Sequence, residues 1–347
     1  MTEVLEAALA AIAGGRPAAL VTPVATEGSV PTGRQARMLV YADGTSVGTV
    51  GGGKMEAEAT AAAAGAGQMR LLDFALTARD AMSDGLLCGG RATFLVEPLG
   101  PASRPGLEAI LDLAQRRACG MEVVRLDGSG AGRRLVLGVA GERAGDLASP
   151  PLEVAAAALL SEVVGEDVCG TRALAAGAEQ AEAFVNALTP RPTLYLFGGG
   201  HVGLALARIA PTAGFRLVVV DDRAEFASAA RFPMADEVRV RPFDRALEGL
   251  ELDRLSYVAI MTPGHQGDRQ VLAQALRTPA GYIGMIGSRR KIATLFEALR
   301  QQGFSDGDLA RVHAPIGLPI GGDSPGEIAV SILAQLIQVH RLGELAG

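Results

Sequence analysis

The chain has 347 residues, 49% hydrophobic and 20% charged, which excludes a disordered or fibrous protein and allows two domains of ordinary size. A net charge of −6 without any basic tract excludes the Lys/Arg footprint of a nucleic-acid binder, and no run of 18 uncharged apolar residues is present to cross a membrane. Cys88, Cys119 and Cys169 are too few and too scattered for a disulfide framework or a metal knuckle, and residues 1–6 are acidic where a secretion signal is basic, so a cytoplasmic protein with reduced thiols is expected.

Apolar runs at 19–24, 36–41 and 45–50 predict strands, the last two joined by Ala42-Asp43-Gly44, a turn in which glycine supplies a positive φ. An alanine-rich helix is predicted over 54–64, directly after Gly51-Gly52-Gly53. A glycine loop feeding a helix gathers unpaired N–H groups at the positive end of the helix dipole, so Gly52, Gly53 and Lys54 are candidate anion ligands. Further strands are predicted at 69–74, 92–97, 122–126 and 134–139, with a helix over 106–117. Residues 1–150 therefore read as a smaller α+β domain.

Residues 151–192 read as a helical linker region, with a helix at 152–163 and a second alanine-rich segment at 171–187, closed by Pro190-Arg191-Pro192. From 193 the rhythm is regular. Strands are predicted at 193–197, 216–221, 237–241, 257–261 and 282–286, with helices at 202–212, 268–277, 289–300 and 325–342. Continuous apolar runs such as Leu217-Val218-Val219-Val220 mark strands buried on both faces. The fold class is α/β, with residues 193–347 forming a Rossmann-like doubly wound parallel sheet.

Gly198-Gly199-Gly200-His201-Val202-Gly203 follows the first of these strands and opens a helix, and Asp221 ends the next strand. In that context Gly198 permits the tight turn, Gly200 lets a phosphate approach the backbone, Gly203 allows close helix packing, and an acid accepts from a ribose hydroxyl. Asp222 and Arg223 follow at once, leaving open which carboxylate meets the ligand. Ligands of such folds lie beyond the carboxyl ends of the strands. His265 and the run Gly287-Ser288-Arg289-Arg290-Lys291 fall there, and the latter brings three cations to a helix start, an anion clamp for Ser288, Arg289 and Lys291. A solvated basic turn is the plain alternative for Arg290 or Lys291. Lys54 and Lys291 are the only lysines among 32 basic residues. The glycine fingerprint with Asp221 also permits an NAD(P)-dependent oxidoreductase.

Several longer motifs resemble the XdhC/CoxI family, accessory proteins of xanthine dehydrogenase and related molybdenum hydroxylases. In the first half these are Gly28-Ser29-Val30-Pro31 with Arg34-Gln35-Ala36-Arg37-Met38, then Gly48-Thr49-Val50-Gly51-Gly52-Gly53-Lys54-Met55-Glu56, and Leu87-Cys88-Gly89-Gly90. In the second half they are residues 198–203, Asp221-Asp222-Arg223 with Glu225-Phe226, residues 231–236, 284–291, 313–318 and 328–332. The resemblance implies a non-enzymatic maturation factor, a chaperone that binds molybdenum cofactor as molybdopterin or its nucleotide form, protects it during sulfuration and helps insert it. It implies two partners, an apo molybdenum hydroxylase of the xanthine dehydrogenase type and a cysteine desulfurase. Cys88 is then the candidate molybdenum or sulfur contact, since a soft thiolate suits either. The apolar closing helix leads us to expect a homodimer.

Overall fold

The computed structural model describes residues 2–28, 30, 32–33, 35–75 and 90–342. The chain divides into two compact units, Met1–Pro190 and Arg191–Gly347.

Among the described residues, the first unit holds two antiparallel five-stranded sheets. One has the order β3-β2-β1-β5-β4, built from Ala18–Gly28 (β1), Arg37–Tyr41 (β2), Ser46–Thr49 (β3), Arg70–Ala75 (β4) and Gly90–Pro98 (β5). The other has the order β8-β7-β6-β10-β9, built from Gly120–Arg125 (β6), Arg134–Gly138 (β7), Arg143–Gly145 (β8), Cys169–Ala176 (β9) and Glu179–Leu188 (β10). Helices Thr2–Ala13 (α1) and Arg104–Gln115 (α3) bury Leu5, Leu107 and Ile110 against Leu20, Leu39 and Val136. Helix Gly53–Ala64 (α2) covers the first sheet with Met55 and Ala59. Buried side chains of both sheets also meet in an ionic network: Arg134 bonds Glu97 and Glu122, and Arg37 bonds Glu122.

The helical linker expected over 151–192 does not exist as such. Two short helices, Pro150–Ala158 (α4) and Leu160–Gly165 (α5), are followed by the hairpin β9–β10, which completes the second sheet. Alanine is the strongest helix former, so its abundance hides the alternation in which Ala181, Ala183, Val185 and Ala187 all face the core. Gly177, at φ +64°, makes the hairpin turn. Pairing of β10 with β6 then overrides local helix propensity.

The second unit is a six-stranded sheet of order β13-β12-β11-β14-β15-β16, with every pairing parallel. Its strands are Thr193–Phe197 (β11), Arg216–Asp221 (β12), Glu237–Val240 (β13), Ser256–Ile260 (β14), Tyr282–Met285 (β15) and Val312–His313 (β16). Alternate strand residues point to opposite faces. Leu194, Leu196, Leu217 and Val219 meet helices His201–Ile209 (α6) and Pro325–Leu342 (α10). Tyr195, Phe197, Val218 and Val220 meet His265–Ala275 (α7) and Arg289–Arg300 (α8). The short helix Asp306–Ala310 (α9) adds Leu309 to that second face. This is the doubly wound α/β architecture, and its order reverses between β11 and β14, where such sheets open a ligand crevice. Among the described residues no helix is long and apolar enough to cross a membrane.

Candidate functional site

The crevice begins where β11 ends. Gly198 has φ +116°, a conformation open to glycine, and a Cβ there would lie 2.3 Å from the Met261 carbonyl oxygen beyond β14. A Cβ on Gly203 would sit 2.2 Å from the Gly198 carbonyl oxygen, so α6 can press onto the loop only with glycine at that position. Gly199 is equally constrained, its Cβ position lying 2.0 Å from the Phe226 carbonyl oxygen. Gly200 differs: a Cβ there would meet nothing within 4 Å. Open space therefore stands at the start of α6, where first-turn N–H groups from His201, Val202 and Gly203 accompany the positive helix end.

The two carboxylates after β12 have different positions. Asp221 is fully buried, and both of its oxygens are engaged. Oδ2 accepts the Gly199 N–H at 2.8 Å and Arg223 Nη2 at 3.0 Å, while Oδ1 accepts the Arg223 backbone N–H at 3.0 Å and its Nε at 2.9 Å. Burial pushes this carboxyl up, but the bonds from Arg223 and Gly199 outweigh it and hold it below the usual range. Asp221 thus braces the loop from behind. Asp222 is exposed, 3.6 Å from Arg223 Nε, and partial desolvation with the neighbouring Asp221 pushes its carboxyl up. The guanidinium of Arg223 stacks 3.7 Å above the Phe226 ring, and Arg231 Nε donates to the Gly199 carbonyl at 3.0 Å. Two cations therefore bracket the glycine loop.

Beyond β14 and β15 a cleft of about 880 Å³ separates α7 from α8. His265, Ser288 and Lys291 line it, and Gly287 lies beneath the Lys291 stem, 3.3 Å from Cδ to a Cβ position. Arg290 lines the cleft; Arg289 is exposed beside it and does not. The clamp foreseen from Arg289 and Lys291 therefore needs correcting twice. Lys291 forms an ion pair with Asp268, a fully buried side chain that also accepts the Thr262 N–H at 3.0 Å and its hydroxyl at 2.7 Å. Its charge is already matched. The sequence reading missed Arg269, Gln266 and Thr294, which line the same cleft. Spacing held the signal: Arg269 is one helical turn from His265, and Arg290, Thr294 and Ala298 repeat every four residues along one face of α8.

In the first unit, Gly51, Gly52 and Gly53 all take positive φ (+123°, +75° and +64°) before α2. Here Glu56 Oε2 accepts the N–H groups of Val50 at 3.0 Å and Gly52 at 3.1 Å, together with the Thr49 hydroxyl. The Thr49 bond leads in holding this carboxyl below its usual range. Gly52 thus binds an anion the chain supplies itself, and Lys54 lies exposed near Glu58 at 3.9 Å. Cys88 lies outside the described residues. Among the described residues, no group of three or more His, Cys, Asp or Glu side chains is arranged to hold a metal ion.

Comparison with known proteins places these features in a family. The XdhC Rossmann domain matches residues 194–336, and the XdhC and CoxI family matches residues 11–75. The chain is 33% identical over 180 residues to the uncharacterized protein YqeB of Escherichia coli, covering 52% of this chain and 31% of that protein. It is 28% identical over 158 residues to a probable xanthine dehydrogenase component of Bacillus subtilis, covering 46% of each. The matches thus span less than half the length of either curated relative. A crystal structure of a xanthine dehydrogenase from Bacillus halodurans shares the fold with a TM-score of 0.78 and 28% identity, covering 100% of this chain and 97% of that one. With both family domains matched in order on the fold described above, the chain belongs to the XdhC and CoxI family.

Proposed function

We propose that this protein is an accessory factor of a xanthine dehydrogenase-type molybdenum hydroxylase, and that its Rossmann crevice holds molybdenum cofactor while the cofactor is sulfurated and passed to the apo-enzyme. The observation that carries this reading is the inward turn of Asp221 onto Gly199 and Arg223. A dinucleotide dehydrogenase uses the acid at this position for a ribose hydroxyl; here both oxygens are taken. The crevice instead offers backbone N–H groups at the start of α6 and the cation Arg231, which no carboxylate of the described residues matches, a set suited to phosphate.

Molybdopterin brings a phosphate, an anionic dithiolene and an oxo-metal head. In our reading Gly200, His201 and Val202 cradle the phosphate and Arg231 supplies the positive charge, while Arg223, matched by Asp221, holds the loop in shape. Cys88 remains the candidate soft contact to metal or sulfur. The partners in this reading are the apo-hydroxylase, named by the resemblance to xanthine dehydrogenase proteins, and a cysteine desulfurase. Its location is the cytoplasm, and α10, with Val330 and Ile337 exposed, serves a homodimer.

The test is retention. The full chain is mixed anaerobically with molybdenum cofactor, passed through a sizing column and assayed for pterin and molybdenum. About one pterin per chain is expected, and a chain that elutes without pterin overturns the reading.

A further inference from the structure

The cleft between α7 and α8 has the size of a small-molecule site and a charge pattern of its own. Arg269 reaches it from α7 and Arg290 from α8. Among the described residues, neither guanidinium has an ion-pair or hydrogen-bond partner, whereas Lys291, which lines the same cleft, is matched by buried Asp268. Two unmatched like charges thus face the cleft from opposite helices, and an anion held between them would balance both. The chain as a whole is acidic, with a net charge of −6, so this basic hollow runs against its general charge.

Two polar groups around the arginines, Ser288 and His265, can donate to an anion, while Gln266 offers both a donor and an acceptor and the Thr294 hydroxyl donates to the Arg290 carbonyl at 3.1 Å. Ser288 Oγ accepts the Lys291 N–H at 3.3 Å, which leaves its own hydrogen for an outside acceptor. His265, at the start of α7, adds a ring N–H. Among the described residues no carboxylate lines the cleft, since Asp268 faces Thr262 and Lys291 from beneath. Buried Leu295, together with Ala298, adds an apolar strip along α8. An arginine pair suits the forked oxygens of a phosphate, and an apolar strip beside it suits a flat or aliphatic group.

We propose that this cleft is a second seat, for a phosphomonoester whose phosphate lies between Arg269 and Arg290 and whose organic part lies along Leu295 and Ala298. It is separate from the glycine crevice. The cleft lies on the face covered by α7 and α8, and the glycine loop feeds α6 on the other. The ends of β11 and β15 are two strand spacings apart, about 10 Å. The proposal goes beyond the cofactor reading and stands without it.

The test titrates phenyl phosphate and inorganic phosphate into the full chain by calorimetry, in a buffer free of other multivalent anions. Saturable binding of one phenyl phosphate per chain is expected, at least threefold tighter than inorganic phosphate. Arg269→Gln and Arg290→Gln should each weaken it tenfold or more, with Arg290→Lys intermediate. Arg254→Gln removes the same charge at the opposite end of the sheet, just before β14, and should change affinity less than twofold. The proposal is overturned by an absence of saturable binding, by equal losses in the Arg254 and Arg290 variants, or by equal affinity for the two phosphates. Molybdenum cofactor appears in neither titration, so failure here leaves the crevice reading untouched, and failure of cofactor retention leaves this one untouched.

Discussion

The chain carries two glycine loops that open helices, Gly51-Gly52-Gly53 before α2 and Gly198-Gly199-Gly200 before α6, and each is braced by an acid. The position of the acid separates them. Glu56 reaches into its loop and takes the N–H groups of Val50 and Gly52, so the seat is filled from within. Asp221 approaches from behind, takes only the Gly199 N–H of the loop, and leaves open space at Gly200. A glycine loop is therefore an anion site only where the chain does not bring its own carboxylate into the same N–H groups. The first loop is a closed turn, and the second is an open cradle.

Four substitutions test that contrast. Asp221→Ala should have the largest effect, a loss of about 3 kcal/mol of stability in the second unit, because a buried carboxylate with several charge-assisted bonds is removed. Denaturant unfolding measures it, and a loss under about 1 kcal/mol would make Asp221 dispensable to the loop. Glu56→Ala should cost the first unit about 1.5 kcal/mol at neutral pH.

That second loss has a pH signature. The folded Glu56 carboxyl lies below its ordinary value of 4.5, so its contribution is complete above that value and is lost as pH falls through the lower folded value. The gap between the natural protein and Glu56→Ala should therefore close in acid. A gap of constant size would contradict the closed-turn reading. Gly52→Ala should cost at least about 1 kcal/mol from its backbone alone, since φ +75° with ψ −176° is a region essentially confined to glycine, although a Cβ there meets nothing within 4 Å. Gly200→Ala, at φ −66°, should be the mildest for the fold, about 0.5 kcal/mol, yet it should weaken cofactor retention about tenfold by placing a methyl in the cradle. If Gly52→Ala weakened retention and Gly200→Ala did not, the roles of the two loops would be reversed.

Much of the second unit was legible in the chain. The continuous apolar strands, the turn at 198–203 and the helix at 289–300 follow from local periodicity and glycine placement, and the structure has them. What local patterning misses is rotation and distance. The run Arg289-Arg290-Lys291 shows three cations at a helix start; only packing of α8 on the sheet turns Arg290 into the cleft and leaves Arg289 outside. The matching of Lys291 by Asp268 joins residues 23 positions apart and depends on Gly267, whose Cβ would lie 2.6 Å from Thr262 Oγ1. In the same way, β10 is a strand because β6 pairs with it, although its alanines read locally as helix.

Anaerobic thermal unfolding of the full chain, with each ligand in excess, tests whether the open cradle takes molybdenum cofactor and not a nicotinamide dinucleotide. A ligand at 100 times its dissociation constant adds about 2.7 kcal/mol to the native state. That gain is expected with molybdenum cofactor and none with NAD or NADP. Stabilisation by a nicotinamide dinucleotide alone would contradict it and restore the dehydrogenase reading of the crevice.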